Sequence, residues 1–93
     1  MIKSNAARSK KYLLAVRALP CVICASPADD AHHIIGVGGM SGMGMKAPDI
    51  CTMPVCREHH TQIHQNPEMW PDQWEHIVRT INRLFQVGVL RVA

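Results

Sequence analysis

The sequence predicts a small α+β domain, and three observations carry that prediction. Apolar residues recur at three- and four-residue steps near both ends, over residues 4–18 and 71–88, which is helical spacing. Short apolar runs at residues 21–24, 31–37 and 49–55 alternate with turn-forming residues, which is strand spacing. Threaded between those runs are Cys21-x2-Cys24, His32-His33 and Cys56-x2-His59-His60-x3-His64, which hold five of the six histidines. Ligand-type side chains at ligand-type spacings point to metal rather than to packing.

Taken in order, residues 4–18 read as an amphipathic helix. Ala7, Lys11 and Leu14 fall near one line, and Tyr12, Leu13, Val16 and Leu19 add an apolar stripe. Pro20 ends it. Residues 21–24, a turn over 25–30 and a strand over 31–37 read as a hairpin with the cysteine pair at its mouth. Residues 36–46 contain five glycines and three methionines and read as a loop, because glycine weakens helix and strand alike. Residues 49–55 are expected to be extended and residues 57–65 a short helix before Pro67. Pro71 suits the opening of a last helix and Asp72 its first turn; Trp74, Ile77, Val78, Ile81, Leu84 and Phe85 repeat at helical steps, and Gly88 closes it. Residues 89–92 are expected to form a short tail strand. No repeat or linker divides the chain, so residues 1–93 read as one domain.

Ninety-three residues bury a modest core, and chains of this size commonly need a metal staple or a partner. The composition is 47% hydrophobic with only four Phe, Trp and Tyr residues, so the interior must be aliphatic. Lys3, Arg8, Lys10, Lys11 and Arg17 stand in the first seventeen residues with no acid, against five bases and seven acids in the remainder. A basic arm of that kind suits a polyanion, with Lys10 and Lys11 as its phosphate contacts and Lys46 and Arg57 as further ones. The four cysteines lie in a chain without signal-peptide features. That fits a reducing cytoplasm, where Cys-x2-Cys reads as metal binding rather than as a disulfide. No run reaches the roughly 18 apolar residues that span a bilayer. The glycine-rich stretch lacks phosphate-binding-loop spacing, so no organic cofactor is expected.

A structural zinc takes four thiolate or imidazole ligands, usually as two closely spaced pairs. Cys21 with Cys24 and Cys56 with His59 are such pairs, separated by 31 residues. Cys51 is either a buried apolar residue or an alternative to His59 as fourth ligand. Of the other histidines, His60 and His64 stand at i and i+4 on the short helix and can share one ion. His32 and His33 are neighbours on a strand and face opposite ways, so one ligates and the other is free for acid-base work. His76 stands alone and reads as an ordinary surface or core residue.

These residues together resemble the HNH endonucleases, also called His-Me finger or ββα-metal nucleases. Within them, residues 31–36, the glycine-rich loop leading to Lys46-Ala47-Pro48-Asp49, and residues 54–60 resemble the phage recombination enhancement function nucleases and related small prophage proteins. The resemblance covers about residues 19–65. It implies a zinc-stapled ββα-metal core flanked by the N-terminal and C-terminal helices. It further implies metal-dependent hydrolysis of DNA phosphodiester bonds in phage or prophage DNA processing, in the cytoplasm of a bacterial host, with a recombinase as a partner that could load the enzyme. By the same resemblance His33 is the general base, and His32, His60 and His64 hold the catalytic divalent ion, for which Mg2+, Mn2+, Ni2+ and Zn2+ are the candidates. The asparagine that orients the base in that family is replaced by Cys51. Asp49 and Thr52 are the nearest polar candidates, and Asp49 could hold His33 by a carboxylate-imidazole hydrogen bond. The alternative reading is a catalytically silent zinc module that binds nucleic acid or a recombination protein.

Overall fold

The computed structural model describes residues 7–37 and 47–91. In chain order these form α1 (Lys10–Arg17), β1 (Asp30–His33), β2 (Thr52–Val55), α2 (Arg57–Gln65), a 3-10 turn (Pro67–Met69) and α3 (Gln73–Gln86). The chain is α+β; the described residues form three helices around one two-stranded antiparallel sheet. His33 pairs with Thr52, His32 with Met53, Ala31 with Pro54 and Asp30 with Val55.

The hairpin partner therefore differs from the sequence expectation. Residues 21–25 wind into a turn instead of a strand, and β1 pairs with residues that lie beyond the glycine-rich stretch. In an extended strand, positions 21 and 24 would face opposite sides, whereas the turn brings Cys21 and Cys24 to one side, where they meet Cys56 and His59. Ala25 closes that turn in the left-handed region, at φ 64°, with its N–H on the Cys21 carbonyl at 2.8 Å. β1 also stops at His33 rather than at 37, because Gly36 bends the chain at φ 71°. Residues 49–51 form a turn, so the extended stretch begins at Thr52.

The first helix starts at Lys10 rather than at 4. Ser9 caps it, its hydroxyl accepting from Tyr12 N–H at 3.1 Å, which is how a serine satisfies an orphan donor of the first turn. Before Ser9 the backbone turns to the Asp49 segment, where Asp49 N–H donates to the Ala7 carbonyl at 3.0 Å. Only Val16 of α1 is buried, and Leu14, assigned above to the apolar line, is 60% exposed. α2 is as expected. Its first N–H, on Arg57, is capped from a distance by the Asp29 carboxylate at 2.7 Å.

α3 begins at Gln73 rather than at Pro71, and Gln73, Ile77, Thr80 and Leu84 form its buried stripe at four-, three- and four-residue steps. Trp74, Val78 and Phe85 lie exposed beside that stripe. The helix ends as expected at Gly88 (φ 83°). Val89 N–H reaches the Leu84 carbonyl at 2.9 Å and Gly88 N–H the Phe85 carbonyl at 3.1 Å, the paired bonds of a Schellman end. Residues 89–91 form no strand, and Val92 lies outside the described residues. Among the described residues, no helix is long and apolar enough to cross a membrane.

All four residues of β2 are buried, because α1, α2 and α3 all pack on it. The core is aliphatic: Ile34, Met53, Val55, Ile63 and Ile77 with Cys21, Cys51 and Ala47. Each large aliphatic side chain withdrawn from water contributes roughly 1.5–3 kcal/mol. Trp70 lies against this cluster, its indole N–H donating to the Ile63 carbonyl at 2.8 Å.

Gly36 and Gly88 separate two causes of glycine use. Both have positive φ, but a Cβ at Gly36 would strike the six-membered ring of Trp70, whereas one at Gly88 would meet nothing within 4 Å. Gly88→Ala should cost about 1 kcal/mol, the left-handed penalty alone. Gly36→Ala should cost at least about 2 kcal/mol, because steric displacement adds to it. Chemical denaturation of the two variants side by side checks the ordering, and equal losses would refute the role given to Trp70.

Candidate metal centres and the groove beside them

The turn after α1 and the start of α2 bring Cys21, Cys24, Cys56 and His59 together, with all four ligand atoms within 4.8 Å of one another. Cys24 Sγ lies 3.8 Å from Cys56 Sγ, and His59 Nδ1 lies 3.2 Å from Cys56 Sγ and 3.9 Å from Cys21 Sγ. Zinc–sulfur bonds of about 2.3 Å around a tetrahedral ion imply sulfur–sulfur edges of about 3.8 Å. The spacing therefore fits a four-coordinate zinc. Hydrogen bonds from the Ser26 side chain and main chain bring the exposed Cys24 thiol down to about 6, so it offers a thiolate at neutral pH. Cys51 is not part of the set; it sits in the core, where burial pushes its thiol up.

A second set, His32, His60 and His64, also gathers its ligand atoms within 4.8 Å. The three ring centroids form a near-equilateral triangle with sides of 4.9, 5.2 and 5.0 Å. Strand alternation supplies the first corner, because it turns His32 and Asp30 to the same face of β1, the face toward α2. Helix spacing supplies the other two, with His60 and His64 one turn apart and their Nε2 atoms separated by 3.3 Å. Asp30 Oδ2 accepts from His60 Nδ1 at 2.9 Å and from Arg57 Nε at 3.1 Å. The bond from His60 is the main reason the Asp30 carboxyl is held below its ordinary range. With Nδ1 so engaged, His60 keeps Nε2 for an ion, a carboxylate-oriented ligand. Burial first, then the neighbouring His60, lowers the pKa of His64.

His33 lies on the opposite face of β1, and its Nε2 stands 2.8 Å from Asp49 Oδ1. Asp49 also accepts from Arg8 Nη1 at 3.0 Å and from Ser9 N–H at 2.7 Å. Burial alone would raise this carboxyl, but the bonds from His33, Ser9 and Arg8 outweigh it and pull Asp49 down to about 2. An ionised Asp49 can only accept, so neutral His33 carries its proton on Nε2 and leaves Nδ1 basic. Thr52, the other candidate partner for His33, donates instead to the Asp49 carbonyl at 2.7 Å and steadies that turn.

His33 and His60 border one groove of about 500 Å³, with Leu13, Arg17, Asp29, Asp30, Ala31 and Arg57 along its walls. A second hollow, bordered by Arg8, Ser9, Lys10, Leu13 and Asp49, meets it at His33. Lys10 and Arg57 thus stand beside the histidines. Lys11 is exposed on α1 away from both hollows, and Lys46 lies outside the described residues. Asp30, Arg8 and Gln73, whose Oε1 lies 2.8 Å from His32 Nε2, were not legible as site residues in the sequence. Only the fold brings them to the histidines.

Residues 2–89 match the family described as Protein of unknown function (DUF968). The chain belongs to that family. Among curated proteins, the uncharacterized protein YdfU of Escherichia coli (strain K12) is 42% identical over 85 residues, which cover 87% of this chain and 24% of the relative. This DUF968 chain thus spans about a quarter of that relative's length. No solved structure matches.

For the DUF968 cysteine site, Cys24→Ser should lower the zinc content and unfold or aggregate the chain, since such a site contributes folding energy directly. Elemental analysis with circular dichroism reads both effects, and a folded variant with unchanged zinc would overturn the assignment. For the histidine site, burial first, with the charges of the neighbouring histidines, takes His32 down to about 4 although the Gln73 bond opposes this. The unfolded imidazole, near its ordinary 6.5, takes up a proton before the folded one does. The stability that neutral His32 contributes is therefore complete above pH 6.5 and is lost as pH falls towards about 4. NMR titration of the imidazole protons, with no ion added beyond the zinc equivalent, should show His32 uncharged at pH 5.5; a midpoint near 6.5 would contradict its burial.

Proposed function

We propose that this chain is a metal-dependent DNA endonuclease of the HNH, or ββα-metal, type. One observation carries the reading: a histidine with a basic Nδ1, held by an ionised carboxylate, borders the same groove, walled by Arg17 and Arg57 with Asp29 and Asp30, as His60, one corner of a cluster of three histidines able to hold an ion. The order of two antiparallel strands, then a helix that supplies two of those histidines, supports the same reading. A module that only bound nucleic acid would have no use for a second, open ligand set.

The chain's own groups would act as follows. Arg17 and Arg57 line the groove and attract a phosphodiester; Arg57 is aligned by Asp30 through its Nε. His33 Nδ1 accepts a proton from a water, and the hydroxide attacks phosphorus. Asp49, fixed from two further sides by Arg8 and Ser9, keeps the imidazole in the tautomer that can take that proton and stabilises the imidazolium that forms. A divalent ion on His32, His60 and His64 would supply charge stabilisation for the phosphorane and the departing 3′ oxygen.

The base and the ligand should fail differently. In a plasmid-nicking assay across added divalent ions, His33→Ala should keep fold, zinc and DNA binding while cleavage falls by about 10²-fold or more. His60→Ala should weaken the response to the added ion, so excess ion rescues it in part but does not rescue His33→Ala. Undiminished nicking by His33→Ala would reject the base assignment. No nicking by the parent chain with any divalent ion would leave the zinc-stapled binding module as the better account.

A further inference from the structure

Gln73 opens α3 and lies on its buried stripe, where a helix of this amphipathic kind would ordinarily carry an aliphatic residue. It is 1% exposed, so its amide must find all its partners inside the protein. It does: Oε1 accepts from Ile35 N–H at 3.1 Å, and Nε2 donates to the Ile35 carbonyl at 2.8 Å and the Trp70 carbonyl at 2.9 Å. The fourth contact joins Oε1 to His32 Nε2 at 2.8 Å.

The Ile35 backbone presents one donor and two residues' carbonyls offer only acceptors, so the amide fits in one orientation. Exchanging its oxygen and nitrogen would set an NH2 against the Ile35 N–H and an oxygen against both carbonyls, three repulsive contacts at a side chain that is 1% exposed. The atom facing His32 is therefore an acceptor, and His32 Nε2 must be the donor. A neutral imidazole with its proton on Nε2 keeps its lone pair on Nδ1.

We infer that Gln73 is the positioning residue of the histidine centre: it fixes the tautomer and ring orientation of His32, leaving Nδ1 as the nitrogen offered to an ion. This rests on the three histidines forming a metal site. It parallels the part Asp30 plays for His60, with an uncharged partner in place of a carboxylate, so the buried corner of the site gains orientation without a buried charge. It also makes α3 part of the centre, although α3 lies outside the residues that carry the nuclease resemblance.

Long-range 1H–15N NMR of the zinc-loaded parent chain, with no further ion added, reads the tautomer directly, and His32 should be protonated on Nε2. Titration of that same protein with Co2+ should then fill a second site. Gln73→Met, close in shape but without the amide, should bind this second Co2+ some 10–100-fold more weakly while retaining its zinc. A parent chain with His32 protonated on Nδ1 would overturn the inference, as would a folded Gln73→Met with unaltered Co2+ affinity. Failure of the metal reading itself looks different: the Nε2–H tautomer would be present, but the parent chain would take up no second Co2+, and the ligand role of His32 would fall with it.

Discussion

The pairing register of four residues on β1 with four on β2 is the constraint from which the rest of the site follows. Because side chains alternate along a strand, that register sends Asp30 and His32 to the face covered by α2 and α3, and His33 to the face where Asp49 waits. A slip of one residue would exchange the two histidines and separate each from its partner. Bonds beyond the ladder hold the register: Ile34 N–H to the Cys51 carbonyl at 3.0 Å, Val22 N–H to the Pro54 carbonyl at 2.9 Å and Asp29 N–H to the Val55 carbonyl at 2.9 Å. A two-stranded sheet is marginal alone. Here three helices pack over it.

Among the described residues the buried polar ones are few, namely His32, Asp49, Thr52, Gln73 and Thr80, and their side chains are all hydrogen-bonded. Asp49, 5% exposed, accepts from a guanidinium, an imidazole and a backbone N–H; Thr52 reaches the Asp49 carbonyl; Gln73 fills all four of its bonds. Each would be costly to bury unpaired. Committed as they are, they convert burial into orientation, which is what a site that must hold imidazoles within narrow angular limits requires.

Much of this was legible in the residues. The grouping of Cys21, Cys24, Cys56 and His59 could be read because the two short-spaced pairs bring their own geometry with them, and α2 because its histidines, its apolar Ile63 and the following proline agree on one period. The separation of His32 from His33 followed from strand alternation alone. The pairing of β1 with β2 was not legible: the apolar run at 21–24 looks like a strand until the demand that both sulfurs face one ion is imposed, and the partner lies some twenty residues further on, past the glycine-rich stretch. Gln73 was hidden by its position, since a glutamine in the first turn of an amphipathic helix ordinarily faces solvent. Asp30 resembled one of two acids in a turn, and only the fold shows that one caps α2 while the other holds His60.

The four-ligand clamp joins two points separated by 31 residues, and everything proposed to be reactive on the strands and turn lies between them: His32, His33 and Asp49. In entropic terms an ion held by Cys21, Cys24, Cys56 and His59 would act as a crosslink that closes a loop, worth about 3–4 kcal/mol for a loop of this length by analogy with a disulfide. Unlike a disulfide, such a crosslink would open to a chelator or to protons. With ions at both sites, occupancy of the cysteine site and affinity at the histidine site would be thermodynamically linked, each ion making the other bind more tightly through the order of the chain between them.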